Sequence, residues 1–291
     1  MFSGSMVALV TPFRKGDVDL EALRNLIELQ INSGTDGILV CGTTGEGTLI
    51  TQKERDLVIK TAIQTANKRV PIIVGCSSTW PAETIPLIQH AEELGADGAL
   101  VITPYYIKPS QVGIANHFAV IHDNTNIPII MYNNPGRCKV NMSVEVILEL
   151  SKLPRIVALK DTDTNLARVS FIKDHIPEFT LLSGDDASYL GFLAHGGDGC
   201  ISVTANIVPE LMKQLYVAWR NKNIDETQRI DRLLAPLHQA MFLESSPAPV
   251  KYALAKLGYI SNEIRLPLVT TTEPTSKRID LVLEKVKNTK H

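Results

Sequence analysis

Cysteine, unbalanced charge and long apolar runs are all scarce in this sequence. The four cysteines, Cys41, Cys76, Cys138 and Cys200, are widely separated and form no Cys-x-x-Cys pair. A chain of 291 residues can bury a core without covalent staples, so neither a disulfide scaffold nor a cysteine zinc site is expected. Lys and Arg number 29 against 31 Asp and Glu, a formal charge of −2. Without a basic surplus, no nucleic-acid partner is expected. No stretch approaches the roughly 18 consecutive apolar residues of a membrane span, and residues 1–13 lack the basic start of a secretory leader. The expectation is a cytoplasmic protein with reduced thiols and no membrane partner. Seven histidines make neither His-x-His nor His-Glu-x-x-His, so no metal site is predicted. No Gly-x-Gly-x-x-Gly follows an early apolar run, as an open doubly wound sheet would want, and the missing Gly-Lys-Ser/Thr ending of a nucleotide-binding loop argues against ATP.

What is present is a regular alternation. Short apolar, β-branched runs occupy residues 6–10, 37–41, 70–75, 99–103, 127–132, 156–160, 180–183 and 199–203. Each is continuously apolar, as expected of a strand buried on both faces. Amphipathic stretches separate them, at 20–33, 52–67, 82–94, 110–124, 143–153, 166–175, 187–194 and 209–220. Thr51 followed by Glu54 fits a capping box, and Gly34 and Gly95 stand where helices should stop. Strands alternating with helices imply parallel strands joined by crossovers. Eight such rounds predict an α/β fold, a closed (β/α)8 TIM barrel rather than an open sheet. Three further helical patterns, at 225–242, 249–257 and 276–287, predict a C-terminal helical appendix. The predicted division is a barrel domain over 1–222 and a helical domain over 223–291.

In such barrels the reacting groups sit at the C-terminal ends of the strands. Lys160 closes an Ile-Val-Ala-Leu run, so its ammonium should lie against apolar walls, where desolvation disfavours the charged form. A neutral amine in that place is what a Schiff-base nucleophile needs. The plain alternative is an ion pair with Asp161 or another carboxylate. Tyr132 closes the preceding run, and its phenol reads either as a proton carrier or as a packed aromatic with a hydrogen-bonded tip. Thr43 and Thr44 occupy a glycine-flanked turn after the second run, suited to hold a carboxylate or simply to close the turn. Arg137, in an exposed Pro-Gly-Arg loop, offers its fork to a carboxylate or to water. Gly196-Gly197-Asp198-Gly199 precedes the last run and reads as a tight turn, and Asp185-Asp186 reads as a helix cap rather than a magnesium site.

Six segments in order resemble one known family over nearly the whole chain. They are Gly42-Thr43-Thr44-Gly45-Glu46, Thr103-Pro104-Tyr105-Tyr106, Tyr132-Asn133-Asn134-Pro135-Gly136-Arg137, Lys160, Ser183-Gly184-Asp185-Asp186 and Gly199-Cys200-Ile201-Ser202. The family is that of the pyruvate-dependent class I aldolases typified by dihydrodipicolinate synthase and N-acetylneuraminate lyase. The resemblance implies that Lys160 forms an imine with pyruvate and that Tyr132 shuttles protons. It further implies that Thr43 relays them to Tyr106, which enters from a neighbouring subunit. Thr44 would hold the pyruvate carboxylate, Gly184 and the Ile201 carbonyl would line the site, and Arg137 would bind a second substrate's carboxylate. The double threonine and Arg137 point to the branch that condenses pyruvate with L-aspartate 4-semialdehyde. The product there is 4-hydroxy-tetrahydrodipicolinate, on the diaminopimelate route to lysine, and no cofactor is implied. A homotetramer or homodimer is implied as well. Two features depart from the family pattern. Asp161 replaces the glutamate that usually follows the lysine, with little consequence if it only orients the rim. Gln52, Arg55 and Thr79 stand at positions of the family's lysine-feedback site, although Glu83 and Tyr105 are retained. An arginine beside a cationic ligand is unfavourable, so weak or absent inhibition by L-lysine is implied. The alternatives are another pyruvate-dependent aldolase, of the 2-keto-3-deoxy-sugar-acid or N-acetylneuraminate type, and a non-catalytic relative that binds a keto acid.

Overall fold

A computed structural model describes residues 2–288 of the chain. It begins with strand β1 (Gly4–Ala8), a short hairpin of β2 (Phe13–Arg14) and β3 (Asp17–Val18), and helix α1 (Leu20–Asn32). Then follow β4 (Gly37–Val40), α2 (Gln52–Ala66), β5 (Ile72–Gly75), α3 (Pro81–Glu93), β6 (Gly98–Ile102), α4 (Gln111–Asp123) and β7 (Ile129–Asn133). A single-turn helix α5 (Pro135–Cys138) precedes α6 (Val144–Leu150), β8 (Ile156–Asp161), α7 (Ala167–His175), β9 (Thr180–Ser183), α8 (Tyr189–Ala194) and β10 (Gly199–Ser202). A 3-10 turn (Thr204–Asn206) leads to α9 (Pro209–Arg220), α10 (Ile224–Ala240), α11 (Ala248–Lys256) and α12 (Glu273–Asn288).

The strand order is β1-β10-β9-β8-β7-β6-β5-β4, closed as a barrel, so the alternation in the sequence was that of a (β/α)8 fold with added C-terminal helices. Every residue of β4, β5, β6, β7 and β10 is buried, which is why these runs show no polar alternation. The punctuation acts as read. The Thr51 hydroxyl accepts the Glu54 N–H at 3.3 Å and the Glu54 carboxylate accepts the Thr51 N–H at 2.8 Å, a complete capping box. Gly34 and Gly95 follow α1 and α3 with φ of +81° and +97°, a conformation that glycine adopts without a steric penalty.

The chain forms two compact units, one of Met1–Ser3 with Pro71–Ile201 and the other of Gly4–Val70 with Ser202–His291. In the first, β7 and β8 pair in parallel with one irregularity. Ile129 pairs with Ile156 but Ile130 pairs with Ala158, so Val157 is an extra residue in β8. Past that bulge, Tyr132 stands opposite Lys160 and Asn133 opposite Asp161.

The second unit holds a buried charged cluster. Lys251 of α11 pairs with Glu46, donates to the Glu263 carbonyl at 2.9 Å, and lies 4.1 Å from the centre of the Phe13 ring. The Arg265 guanidinium lies 4.4 Å from the centre of that ring, and the Arg265 N–H donates to Glu46 at 3.0 Å. Burial drives Lys251 down to about 8, against the opposing pull of Glu46.

His117 of α4 gives the first unit an acid sensitivity. It is buried, its Nε2 makes no hydrogen bond among the described residues, and burial pushes its pKa down from 6.5 to about 4. The fold favours the neutral ring, so this stabilisation is full above the unfolded value and is lost as pH falls through the folded one. The loss amounts to about 3 kcal/mol. Urea denaturation at pH 7 and pH 4 should show this loss in the parent chain and a smaller one in His117→Gln. Identical losses in the two proteins would exclude the role.

Candidate active site

Lys160 and Tyr132 stand one residue from the ends of adjacent parallel strands at matching register, which sets their side chains on the same face. Lys160 is only 6% exposed, and its Nζ lies 4.5 Å from the centre of the Tyr132 ring. Among the described residues no carboxylate pairs with this amine. The ion pair with Asp161 that the sequence allowed does not form, because successive strand residues point to opposite faces.

Asp161 belongs instead to a buried polar network on the far side of the strand. It accepts Asn133 Nδ2 and the Asp163 N–H, both at 2.9 Å, and lies 3.3 Å from Arg168 Nε. Arg168, from α7, donates to Asn141 at 2.8 Å, to Asp163 at 2.7 Å and to the Met142 carbonyl at 2.7 Å. The Asn133 carbonyl oxygen of the side chain accepts the Met142 N–H at 3.0 Å. Burial pushes the Asp161 carboxyl up from its ordinary value, with Arg168 the main opposing influence. The reading of Asp161 as a rim residue is therefore corrected: with Asn133 it braces the ends of β7 and β8 from behind, the two residues following Lys160 and Tyr132 in the chain.

Four other predicted residues, Gly184, Ile201, Arg137 and Tyr106, belong to the same unit. The Gly184 N–H donates to the Asp161 carbonyl at 2.7 Å. A Cβ at Gly184 would meet Thr162 Cγ2 at 2.6 Å and Lys160 Cε at 2.9 Å, so the missing side chain is what leaves the lysine room. Ile201 is buried in β10, the strand next to β9. Arg137 is exposed, but its segment is a helical turn rather than a loop. Pro135 occupies the first turn and the Asn134 side chain caps it, accepting the Arg137 N–H at 3.0 Å. Asn134 also donates from Nδ2 to the Tyr132 hydroxyl at 2.8 Å. The sequence shows only an asparagine before Pro135 there and gives no sign of a contact to the phenol. Tyr106 is 90% exposed, with φ of +70°.

Thr43 and Thr44 lie in the second unit, directly after β4; Thr43 is exposed and Thr44 buried. Their turn is closed by Glu46 N–H to the Thr43 carbonyl at 3.1 Å and Gly47 N–H to the Gly42 carbonyl at 3.0 Å. The Thr11 hydroxyl donates to the Gly45 carbonyl at 2.6 Å, and the Arg55 guanidinium donates to the Gly47 carbonyl at 2.7 Å. A Cβ on Gly47 would fall 1.9 Å from the Cys41 carbonyl oxygen, so this close backbone approach requires glycine. Among the described residues no three His, Cys, Asp or Glu side chains gather as a metal cluster, and no helix is long and apolar enough to cross a membrane.

A parallel α/β barrel with a buried lysine against a tyrosine at neighbouring strand ends has the layout of an enzyme that works through an amine nucleophile. Comparison with known proteins narrows the class. The model of the dihydrodipicolinate synthetase family matches residues 1–286. A 4-hydroxy-tetrahydrodipicolinate synthase of Roseobacter denitrificans is 46% identical over 281 residues, covering 96% of this chain and 97% of its relative. The structure of dihydrodipicolinate synthase from Aquifex aeolicus superposes with a TM-score of 0.96 at 42% identity, covering 98% of each chain. A structure described as the first monomeric dihydrodipicolinate synthase variant also has a TM-score of 0.96, at 36% identity, covering 98% of this chain and 97% of that one. The chain belongs to the dihydrodipicolinate synthetase family.

Proposed function

We propose that this chain condenses pyruvate with L-aspartate 4-semialdehyde to give 4-hydroxy-tetrahydrodipicolinate, through an imine on Lys160. The observation that carries this reading is a buried lysine amine with no carboxylate partner among the described residues, packed on the Tyr132 ring. The neutral amine adds to the keto carbon of pyruvate, and loss of water leaves the imine. The imine makes the pyruvate methyl acidic. Loss of a methyl proton gives an enamine, whose carbon attacks the aldehyde carbon of the semialdehyde. The amine of that second substrate then attacks the imine carbon, closes the ring and releases Lys160. Every step uses protein groups and the two substrates.

In this scheme Tyr132 carries protons to and from the reacting atoms, and Thr43 relays them to Tyr106. Thr44 holds the pyruvate carboxylate, Gly184 and Ile201 line its place, and Arg137 holds the carboxylate of the semialdehyde. All these residues fall within 1–222, and 223–291 supplies none of them. We further propose a cytoplasmic homotetramer or homodimer. The support is Tyr106, a bulky residue held exposed with φ of +70°, a conformation that costs about 1–3 kcal/mol and persists only where something requires it.

Borohydride reduction in the presence of pyruvate tests the scheme. Mass spectrometry should find a reduced pyruvyl group on Lys160, and a chain without that adduct would sink the proposal. Arg137→Ala should raise KM for the semialdehyde by about 10–100-fold, the worth of a hydrogen bond to a charged group. Its rate of pyruvate adduct formation should stay within about twofold of the parent, by the same assignment. Equal losses in both measurements would contradict the role given to Arg137.

A further inference from the structure

Asn134 joins two groups of the proposed site. Its side-chain oxygen accepts the Arg137 N–H at 3.0 Å, which fixes the orientation of the amide. Its Nδ2 therefore faces the Tyr132 hydroxyl, at 2.8 Å. An amide nitrogen only donates, so in this bond the phenol oxygen is the acceptor. The phenol proton must then point elsewhere. The frame around this contact is rigid. Tyr132 is held opposite Lys160 by strand pairing, the Asn133 side chain is bound on the opposite face by Asp161, and Pro135 starts the next helical turn.

We propose that Asn134 is a positioning residue for proton transfer: it turns the Tyr132 hydroxyl proton away from α5 and supports the oxygen once that proton has been given up. A hydrogen bond to an oxygen that gains negative charge strengthens as the charge develops, so the support grows during the transfer. The same amide caps the turn that carries Arg137, so the proton carrier and the proposed carboxylate clamp are set by one side chain. This inference rests on the reading that Tyr132 carries protons during imine and enamine formation.

Capping and donation can be separated. Asn134→Asp keeps the shape and the capping oxygen but loses the donor, since aspartate and asparagine cap helices about equally well. Its melting temperature should stay within about 2 °C of the parent's, as expected where the cap is kept. Its kcat should fall by about 10–100-fold while KM for pyruvate changes by less than about twofold. The decisive measurement is the same substitution in a Tyr132→Phe background, read as the single-turnover rate of pyruvate adduct formation. If Asn134 acts through the hydroxyl, Asn134→Asp should cost less than about twofold there. A full, additive loss in that background, or an unchanged kcat in the parent background, would overturn the assignment. A parent chain that forms no adduct with pyruvate would sink the imine scheme and this inference together. Adduct formation with additive losses would sink this inference alone.

Discussion

Lys160→Met should yield no pyruvyl adduct under borohydride and should lose turnover by on the order of 10⁴-fold or more, the scale of removing a covalent nucleophile. Methionine keeps the length and apolar stem of lysine, so the barrel strand and its packing on Tyr132 should survive. Lys160→Arg separates chemistry from charge. Arginine supplies a fixed positive charge but offers no free amine at working pH, so it should fail as completely as methionine. Intact-mass analysis after reduction and a coupled assay with both substrates read the two effects. An arginine variant that retained more than about a tenth of the parent turnover would show that the cation, not the amine, matters.

The second large effect is on stability. Lys251→Met removes one partner from a buried pair whose side chains are 1% and 0% exposed. It leaves the Glu46 carboxylate enclosed, with the Arg265 N–H donating to it. Breaking a buried ion pair in this way costs about 3–5 kcal/mol, because the remaining charge loses its compensation. At about 2–4 °C per kcal/mol for a chain somewhat smaller than this one, the melting temperature should fall by roughly 10 °C. Adding Glu46→Gln should recover most of that loss, since a neutral pair has less desolvation to offset. A double variant no more stable than Lys251→Met would assign the damage to packing around Phe13 instead. The cluster also bears on the roles proposed for Thr43 and Thr44, because Glu46 follows Thr43, Thr44 and Gly45 directly, and Lys251 secures that turn from α11.

The fold was legible because its strands are buried on both faces and its helices carry strong punctuation. The runs at 156–160 and 199–203 correspond to β8 and β10, displaced by one residue at their ends. The hairpin of β2 and β3 escaped notice because two residues per strand leave no periodic pattern. Lys160 and Tyr132 could be found from sequence since a polar residue ending an apolar run has an address in a barrel. Arg168 and Lys251 could not. Each sits in a helical pattern where a cation reads as solvent-facing, and only tertiary pairing with Asp161 or Glu46 accounts for their burial. Asp161 was readable in principle, since the residue after a strand lysine must point to the other side. Asn134 needed the three-dimensional turn of α5 to bring its amide back to the phenol.

The bulge at Val157 has a consequence for how this family's chemistry can be varied. In an unbroken ladder, Tyr132 would align with Leu159, and Lys160 would take the scaffold side now given to Asp161. One inserted residue thus sets the phase of the whole strand end and decides which of two adjacent side chains, Lys160 or Asp161, shares a face with Tyr132. Loops beyond β8 can lengthen or shorten without disturbing that choice. Any indel between Ile156 and Lys160 must come in pairs, or Lys160 is turned to the other side of its own backbone, away from Tyr132.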